Sequence, residues 1–374
     1  MSMIGLLADR VFNGERWLEE TPIFFDDSGV VSLSRVEGVA IERMSGALVP
    51  GFIDTQVNGG GGVLFNQAPS VDSLKVMMAA HRRFGTTAMT PTLISDRYDT
   101  LCAGADAVAE AIDSQVAGIV GMHFEGPHLA VAKRGVHRAD VLRPMSDAEM
   151  AQFCRDDLGQ VIVTLAPEVV PVSQIKELVA AGVVVSLGHT NADCDTAIKA
   201  IEAGAKASTH LFNAMSAFGS REPGVVGASL LTNELIAGII VDGHHVDYRA
   251  LQLAYRLKGV DGLMLVTDAM SPVGTDIESF DLQGRTILRQ GDRLNAQSGE
   301  LAGCVLDMAS AVRNCVDHMG CALAHALQMA SRTPASLLGL SESKGHLQPG
   351  ADADLLLIDD DLQVKRSWIA GKEA

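Results

Sequence analysis

The sequence predicts an α/β protein: a (β/α)8 TIM barrel carrying a small β-sandwich built from both termini. Three observations point there. Apolar runs of strand length alternate with helical patterns through the middle of the chain. Those runs are almost continuously apolar, as strands buried on both faces are. Residues able to do chemistry end many different runs, which is where barrels build their sites. A doubly wound sheet is the competing architecture.

The ends of the chain read alike. Residues 1 to 48 hold short β-prone pieces, Ala8–Val11, Ile23–Phe25 and Val30–Leu33, divided by the turn signals Asn13-Gly14 and Asp27-Ser28-Gly29. At the other end Gly350-Ala-Asp-Ala-Asp354 leads into Leu355–Ile358, and a last run closes at Ile369-Ala-Gly371. The expectation is one sandwich from residues 1–48 and 345–374, around a barrel spanning 49–344.

The barrel strands follow in order. The first, Leu48–Asp54, runs out to Gln56, Asn58 and Gly59–Gly62. Leu74, Met77, Met78 and His81 then share a helical face before the second, Thr86–Leu93. The third, Gly118–His123, delivers His123 and Glu125 to its end, where Gly126-Pro127 breaks the chain. Ser146-Asp-Ala-Glu149 has capping-box spacing ahead of the fourth, Val161–Leu165. The fifth, Val183–Leu187, ends in His189 and precedes a helix over Asp193–Ala203. The sixth, Ala207–Thr209, ends in His210, with Asn213 and Ala214 close behind. The seventh, Ile236–Val241, ends in Asp242-Gly-His244-His245 before a helix over Tyr248–Leu257. The eighth, Leu263–Thr267, ends in Asp268, and Leu306–Met319 reads as a later helix.

Composition narrows the function. The 374 residues are 47% hydrophobic and 20% charged, as in a soluble globular protein. The formal net charge of −17 and the lack of a basic run argue against nucleic acid. An anionic substrate therefore needs local cations to draw it in. The six cysteines form no C-x-x-C pair and read as reduced thiols, the pattern of a cytoplasmic protein. The stretch from Met1 to Asp9 lacks the features of a signal peptide. Val225–Val241, interrupted by Asn233 and Glu234, is too short and polar to span a bilayer, so no membrane partner is expected.

A carboxylate and histidines at strand ends can bind a metal or move protons. One glutamate and two histidines on separate strands suit a divalent cation with positions left for water and substrate. Asp268 is then placed to take a proton from that water. Each residue alone has a plainer reading, as a core histidine or a helix cap. The coincidence of four on four strands favours the joint one. His81, His318, His325 and His346 lie on helical or loop stretches and read as structural.

At this point the chain resembles the amidohydrolase superfamily, and within it the N-acetylglucosamine-6-phosphate deacetylases. The motifs are Pro50-Gly-Phe-Ile-Asp54, Gln56-x-Asn58-Gly59, His123-x-Glu125-Gly-Pro127, Gly135-Val-His137, Gly188-His189-Thr190 and Thr209-His-Leu-Phe-Asn-Ala-Met215. Asp242-Gly-x-His245-Val246, Val266-Thr-Asp268-Ala and Leu301-Ala-Gly303 complete the set. The resemblance implies hydrolysis of N-acetyl-D-glucosamine 6-phosphate to glucosamine 6-phosphate and acetate, usually by a homodimer. It implies Glu125, His189 and His210 as ligands of one divalent metal, with zinc, iron, cobalt and manganese all suited to such a set. Asp268 becomes general base and then acid. Val136, His137, Asn213, Ala214, Arg221, His245, Leu301, Ala302 and Gly303 become substrate contacts. The Arg221 guanidinium is a good phosphate partner, because it binds oxyanions bidentately.

Departures sharpen the expectation. Many superfamily members carry His-x-His on strand one for a second metal, whereas this chain has Gln56 and Asn58, so one metal is expected. His128 stands where an aromatic residue is common, and Cys304 where serine is common. The alternatives are another amide or cyclic-amide hydrolase of the superfamily, or a barrel scaffold without catalysis.

Overall fold

Both ends of the chain meet in one small domain. In the computed structural model, which describes residues 3–297, 299 and 301–373, two sheets share this part of the molecule. Met1, Ser2 and Ala374 lie outside the described residues, including the first two positions of the N-terminal stretch read above. One sheet orders Gly29–Ser32, Ile23–Asp26, Ile4–Leu7 and Ile41–Arg43 side by side. The other orders Lys372–Glu373, Val364–Ile369, Leu355–Ile358, Ala47–Pro50, Arg10–Phe12 and Trp17–Glu19. Leu6, Ile23, Phe25, Leu48, Leu355 and Trp368 bury into a common core between them.

The run expected as strand one divides in two. Ala47–Pro50 pairs with Leu355–Ile358 in the small domain, and Phe52–Val57 enters the barrel. A side chain at Gly51 would lie 2.0 Å from Thr87 Oγ1, so only glycine lets the chain pass between the sheets here.

The barrel strands are β1 (Phe52–Val57), β2 (Thr86–Ile94), β3 (Gly121–Glu125), β4 (Gln160–Leu165), β5 (Val184–Leu187), β6 (Ala207–Ser208), β7 (Ile236–Ile239) and β8 (Leu263–Leu265). They form one eight-stranded parallel sheet in sequential order. Closure comes just past β8: Val57 bridges Ala269 in parallel, and the Asp268 N–H donates to Gln56 O at 2.9 Å. That ring excludes the doubly wound alternative.

Helices α1 (Val71–Arg82), α2 (Tyr98–Asp113), α3 (Asp147–Phe153), α4 (Val172–Ala180), α5 (Cys194–Glu202), α6 (Gly224–Leu231), α7 (Tyr248–Lys258) and α8 (Met308–Met319) connect the strands. The capping box before α3 forms in both directions between Ser146 and Glu149. Asp193 caps α5, and Asp307 caps α8, which stops at the left-handed Gly320. No helix among the described residues is long and apolar enough to cross a membrane.

One element escapes the periodicity argument. Between β8 and α8 the chain makes an antiparallel sheet of Ser279–Leu282, Arg285–Gln290, Arg293–Ala296 and Leu301–Cys304. Its inward face packs Leu282, Ile287 and Leu294 against Leu64, Ile94 and Met270. This small cluster holds the sheet over the C-terminal mouth of the barrel.

Candidate active site

The loops after the strands enclose a cavity at the barrel mouth. Asn58, Glu125, His137, His189, His210, His245 and Asp268 line it, with Gly135, Val136, Asn213, Ala214, Leu301 and Gly303. Ile94 and Met270 add apolar wall. Every expected site residue except Gln56, His123, Arg221 and Ala302 is in that lining.

At the centre, Glu125 Oε1 lies 3.2 Å from His189 Nε2 and 3.1 Å from His210 Nε2, and the two imidazole nitrogens are 3.0 Å apart. Glu125 ends β3, His189 follows β5 and His210 follows β6, so three separate strands converge on one point. His189 Nδ1 lies 2.8 Å from Lys133 O, a carbonyl that can only accept, so this nitrogen carries the hydrogen and Nε2 faces inward with its lone pair. Three buried donor atoms gathered this closely, one carboxylate oxygen and two imidazole nitrogens, suit a divalent cation.

The backbone is strained at the same points. His189 (φ 47°), His210 (φ 35°) and Asp268 (φ 50°) all adopt left-handed conformations that non-glycine residues rarely take. Each costs on the order of 1–3 kcal/mol, which the surrounding packing must supply. The turn aims each side chain across the barrel mouth instead of along its strand.

Asp268 stands opposite. Its Oδ1 accepts from Asn58 Nδ2 at 2.6 Å and from Gln56 Nε2 at 3.2 Å. Gln56 Nε2 also reaches Glu125 Oε1 at 3.1 Å, so one amide group ties both carboxylates. These positions carry hydrogen-bond donors in place of a second pair of histidines.

Environment sets the charges. Burial pushes the Asp268 carboxyl up, helped by the nearby Glu125 charge, to about 6. Burial works against the Glu125 anion too, but the imidazoles of His189 and His210 beside it outweigh it and hold the group well below the usual carboxylate range. Burial, reinforced by His189, pushes His137 down to about 3, so its ring is neutral. His137 Nδ1 takes hydrogen bonds from the Ser95 N–H and hydroxyl, at 3.3 and 2.8 Å, which leaves the ring hydrogen on Nε2. His245 Nδ1 is 2.6 Å from Asp242 Oδ2, and Asp242 Oδ1 accepts the backbone N–H groups of His244 and His245.

His123 takes a different place. It sits within β3, not at its end, paired with Thr92 and Ile162. Side chains two apart on a strand share a face, so His123 points into the barrel one layer below Glu125. Its ring nitrogens are both engaged, with Thr55 O at 2.8 Å and Thr164 Oγ1 at 2.7 Å. Arg221 is exposed on the loop before α6 and does not reach the cavity of its own chain. His128 also faces elsewhere, toward Arg143 O and the edge of Phe153.

Sequence reasoning missed Ser95, which fixes His137, and Arg285, which donates to Val136 O from the added sheet. Ser95 follows β2 outside any motif and Arg285 lies on the added sheet, so no local signal marks them.

A parallel barrel with a carboxylate and two imidazoles converging at its C-terminal mouth has the fold and site of a metal-dependent hydrolase. The amidohydrolase family model matches residues 47–374. The chain belongs to the amidohydrolase family and is a hydrolase of carbon–nitrogen amide bonds. A Shewanella N-acetylgalactosamine-6-phosphate deacetylase is 53% identical over 88% of this chain and 83% of its own length. The human N-acetylglucosamine-6-phosphate deacetylase is 37% identical over 98% of this chain and 91% of its own. The crystal structure of the Pasteurella multocida N-acetylglucosamine-6-phosphate deacetylase superposes with a TM-score of 0.95 at 34% identity, covering 100% of this chain and 99% of that one. A Mycobacterium smegmatis variant, with one aspartate replaced by alanine and in complex with N-acetyl-D-glucosamine-6-phosphate, gives 0.92 at 31%, covering 100% and 99%.

Proposed function

We propose that the chain removes the acetyl group from N-acetyl-D-glucosamine 6-phosphate, giving D-glucosamine 6-phosphate and acetate. The observation that carries the reading is the convergence of Glu125, His189 and His210 within 3.2 Å of one another, opposite Asp268. Those three residues hold one divalent cation per subunit, zinc being the first choice and iron, cobalt or manganese also matching the donors. When bound, that ion activates water and polarises the amide carbonyl.

The chain's own groups do the rest. Asp268, fixed by Asn58 and Gln56, takes the proton from the attacking water. It returns that proton to the amine nitrogen as the C–N bond breaks. The Nε2–H of neutral His137 donates to the carbonyl oxygen as negative charge builds there. Val136, Leu301 and Gly303 wall the acetamido end, and Asn213, the Ala214 backbone and His245 face the sugar phosphate. Ala302 is buried behind that wall and places its neighbours.

Arg221 supports a dimer. Its loop lies beside an apolar hollow lined by Phe212, Phe218, Leu231, Leu253 and Leu257. Phe218 is 68% and Leu231 75% exposed, a large apolar face for a lone subunit. Phe212 lines the hollow and Asn213 the cavity, so a second copy seated on this face lies next to the substrate. In that homodimer Arg221 supplies the phosphate cation to the neighbouring subunit. All six cysteines are unpaired, which supports a cytoplasmic setting.

A second substrate has an observation of its own. The Shewanella relative at 53% identity is named for the galactosamine epimer. Acetate release from both 6-phosphates, with and without chelator, tests the proposal. Release that a chelator leaves untouched, or none from either sugar, ends it.

A further inference from the structure

Beside the cavity lies a second cluster of metal-ligating side chains that the reaction does not use as ligands: Asp242, His245 and Cys304. One ligand atom from each lies within 4.8 Å of the others. Asp242 and Cys304 are buried, and His245 is largely so. Two elements bring them together: the loop after β7, which carries Asp242 and His245, and the added strand Leu301–Cys304, which bridges Ala269 next to β8. Donors about 2.0–2.3 Å from a tetrahedral ion sit roughly 3.3–3.8 Å apart, so small rotations suffice. We propose that these three residues form a second site for a thiophilic divalent cation, zinc or cadmium, separate from the Glu125–His189–His210 centre.

The chemistry favours a cation of that class. Asp242 already accepts two backbone N–H groups through Oδ1, which fixes its carboxylate and leaves Oδ2 toward His245. Cys304 Sγ is buried, with a weak contact at 3.4 Å to Thr267 O, and lies beside Asp242. A buried thiol next to a carboxylate keeps its proton, because burial and Asp242 both oppose the thiolate. A cation reverses both effects. Its binding displaces the thiol proton and the proton shared between His245 and Asp242, and leaves Sγ and Oδ2 as charged ligands. Serine in place of Cys304 offers a hard, neutral oxygen that such ions prefer far less. The site shares His245 with the sugar-facing wall of the cavity, but cation binding there does not depend on deacetylation.

The test uses the full chain with its catalytic metal in place. Cadmium is added in excess, the free ion is removed by gel filtration, and metal content and ultraviolet absorbance are measured. Cys304→Ser and Cys304→Ala are taken through the same steps, with melting temperature as a check on folding. The expected result is one more equivalent of cadmium per subunit in the wild type than in either variant. A sulfur-to-cadmium charge-transfer band should appear in the wild-type-minus-variant difference spectrum. The Glu125 centre contains no sulfur, and subtraction removes the other five cysteines, so that band reports Cys304 alone. Equal cadmium content in all three proteins, or a flat difference spectrum, overturns the site. Chelator-insensitive deacetylation would count against the proposed function and leave this result standing.

Discussion

Asn58 Nδ2 lies 2.6 Å from Oδ1 of Asp268, joining the first strand of the barrel to the residue that closes it after the eighth. The contact aims one carboxylate oxygen away from solvent and favours its anionic form. Its partner oxygen stays available to the cavity.

In the proposed mechanism Asp268 carries the proton. Asp268→Asn keeps the shape and removes the base, so turnover should fall by about 10²–10⁴-fold. Binding of the substrate, measured calorimetrically, should persist. Turnover close to normal refutes the assignment.

On the same proposal Asp268 sets the acid limb of the pH profile. Asp268 acts as base only when ionised, so kcat/KM should fall as pH drops through about 6 or below, a bound cation moving the limb downward. Asn58→Ala removes a hydrogen bond that favours the anion. The limb should therefore shift to higher pH in that variant. A shift downward, or no shift, contradicts this role for Asn58.

Chelation should abolish activity, and zinc, iron, cobalt or manganese should restore it to different extents. Glu125→Gln and His189→Ala should each lose the ion, read by elemental analysis. Retention of a full equivalent by both variants places the metal elsewhere.

Arg221→Ala should raise KM for the 6-phosphorylated sugar roughly 10- to 100-fold, the range for one or two charge-assisted hydrogen bonds. The unphosphorylated sugar should be unaffected. Leu231→Glu, which puts a charge on the exposed apolar face, should yield monomers by sedimentation and raise KM in the same direction. A monomeric variant with normal KM separates Arg221 from any partner subunit.

Closure of the barrel also depends on a buried pair. Thr267 Oγ1 donates to Asp54 Oδ2 at 2.5 Å, and burial holds Asp54 up at about 7. Thr267→Val should cost about 1–3 kcal/mol of stability in denaturant titrations. An acid with a raised folded value loses stability as pH rises from its unfolded value through the folded one. The hydrogen bond favours the anion, so the cost should be larger near about pH 8 than near about pH 5. The opposite trend rejects the account.

Much of this was legible in the sequence. Glu125, His189, His210 and Asp268 each end an apolar run, and the capping residues of α3 and α5 stand where the local pattern puts them. Such signals are short-range: a strand's period, a cap's spacing, a motif of a few residues. They do not report which way a ring rotates within a strand, and His123 illustrates the point, with both nitrogens engaged inside the barrel.

The sequence by itself determined the barrel, the small domain from both termini, and the residue types that face the cavity, because burial on both faces and strand-end placement leave a periodic trace. Tertiary structure alone decided three things. It closed β1 against the segment after β8, laid the sheet of Ser279–Cys304 over the mouth, and left Arg221 outside its own cavity. Each rests on contacts between segments far apart in the chain, and the free energy of such packing belongs to the assembled core, not to any local stretch.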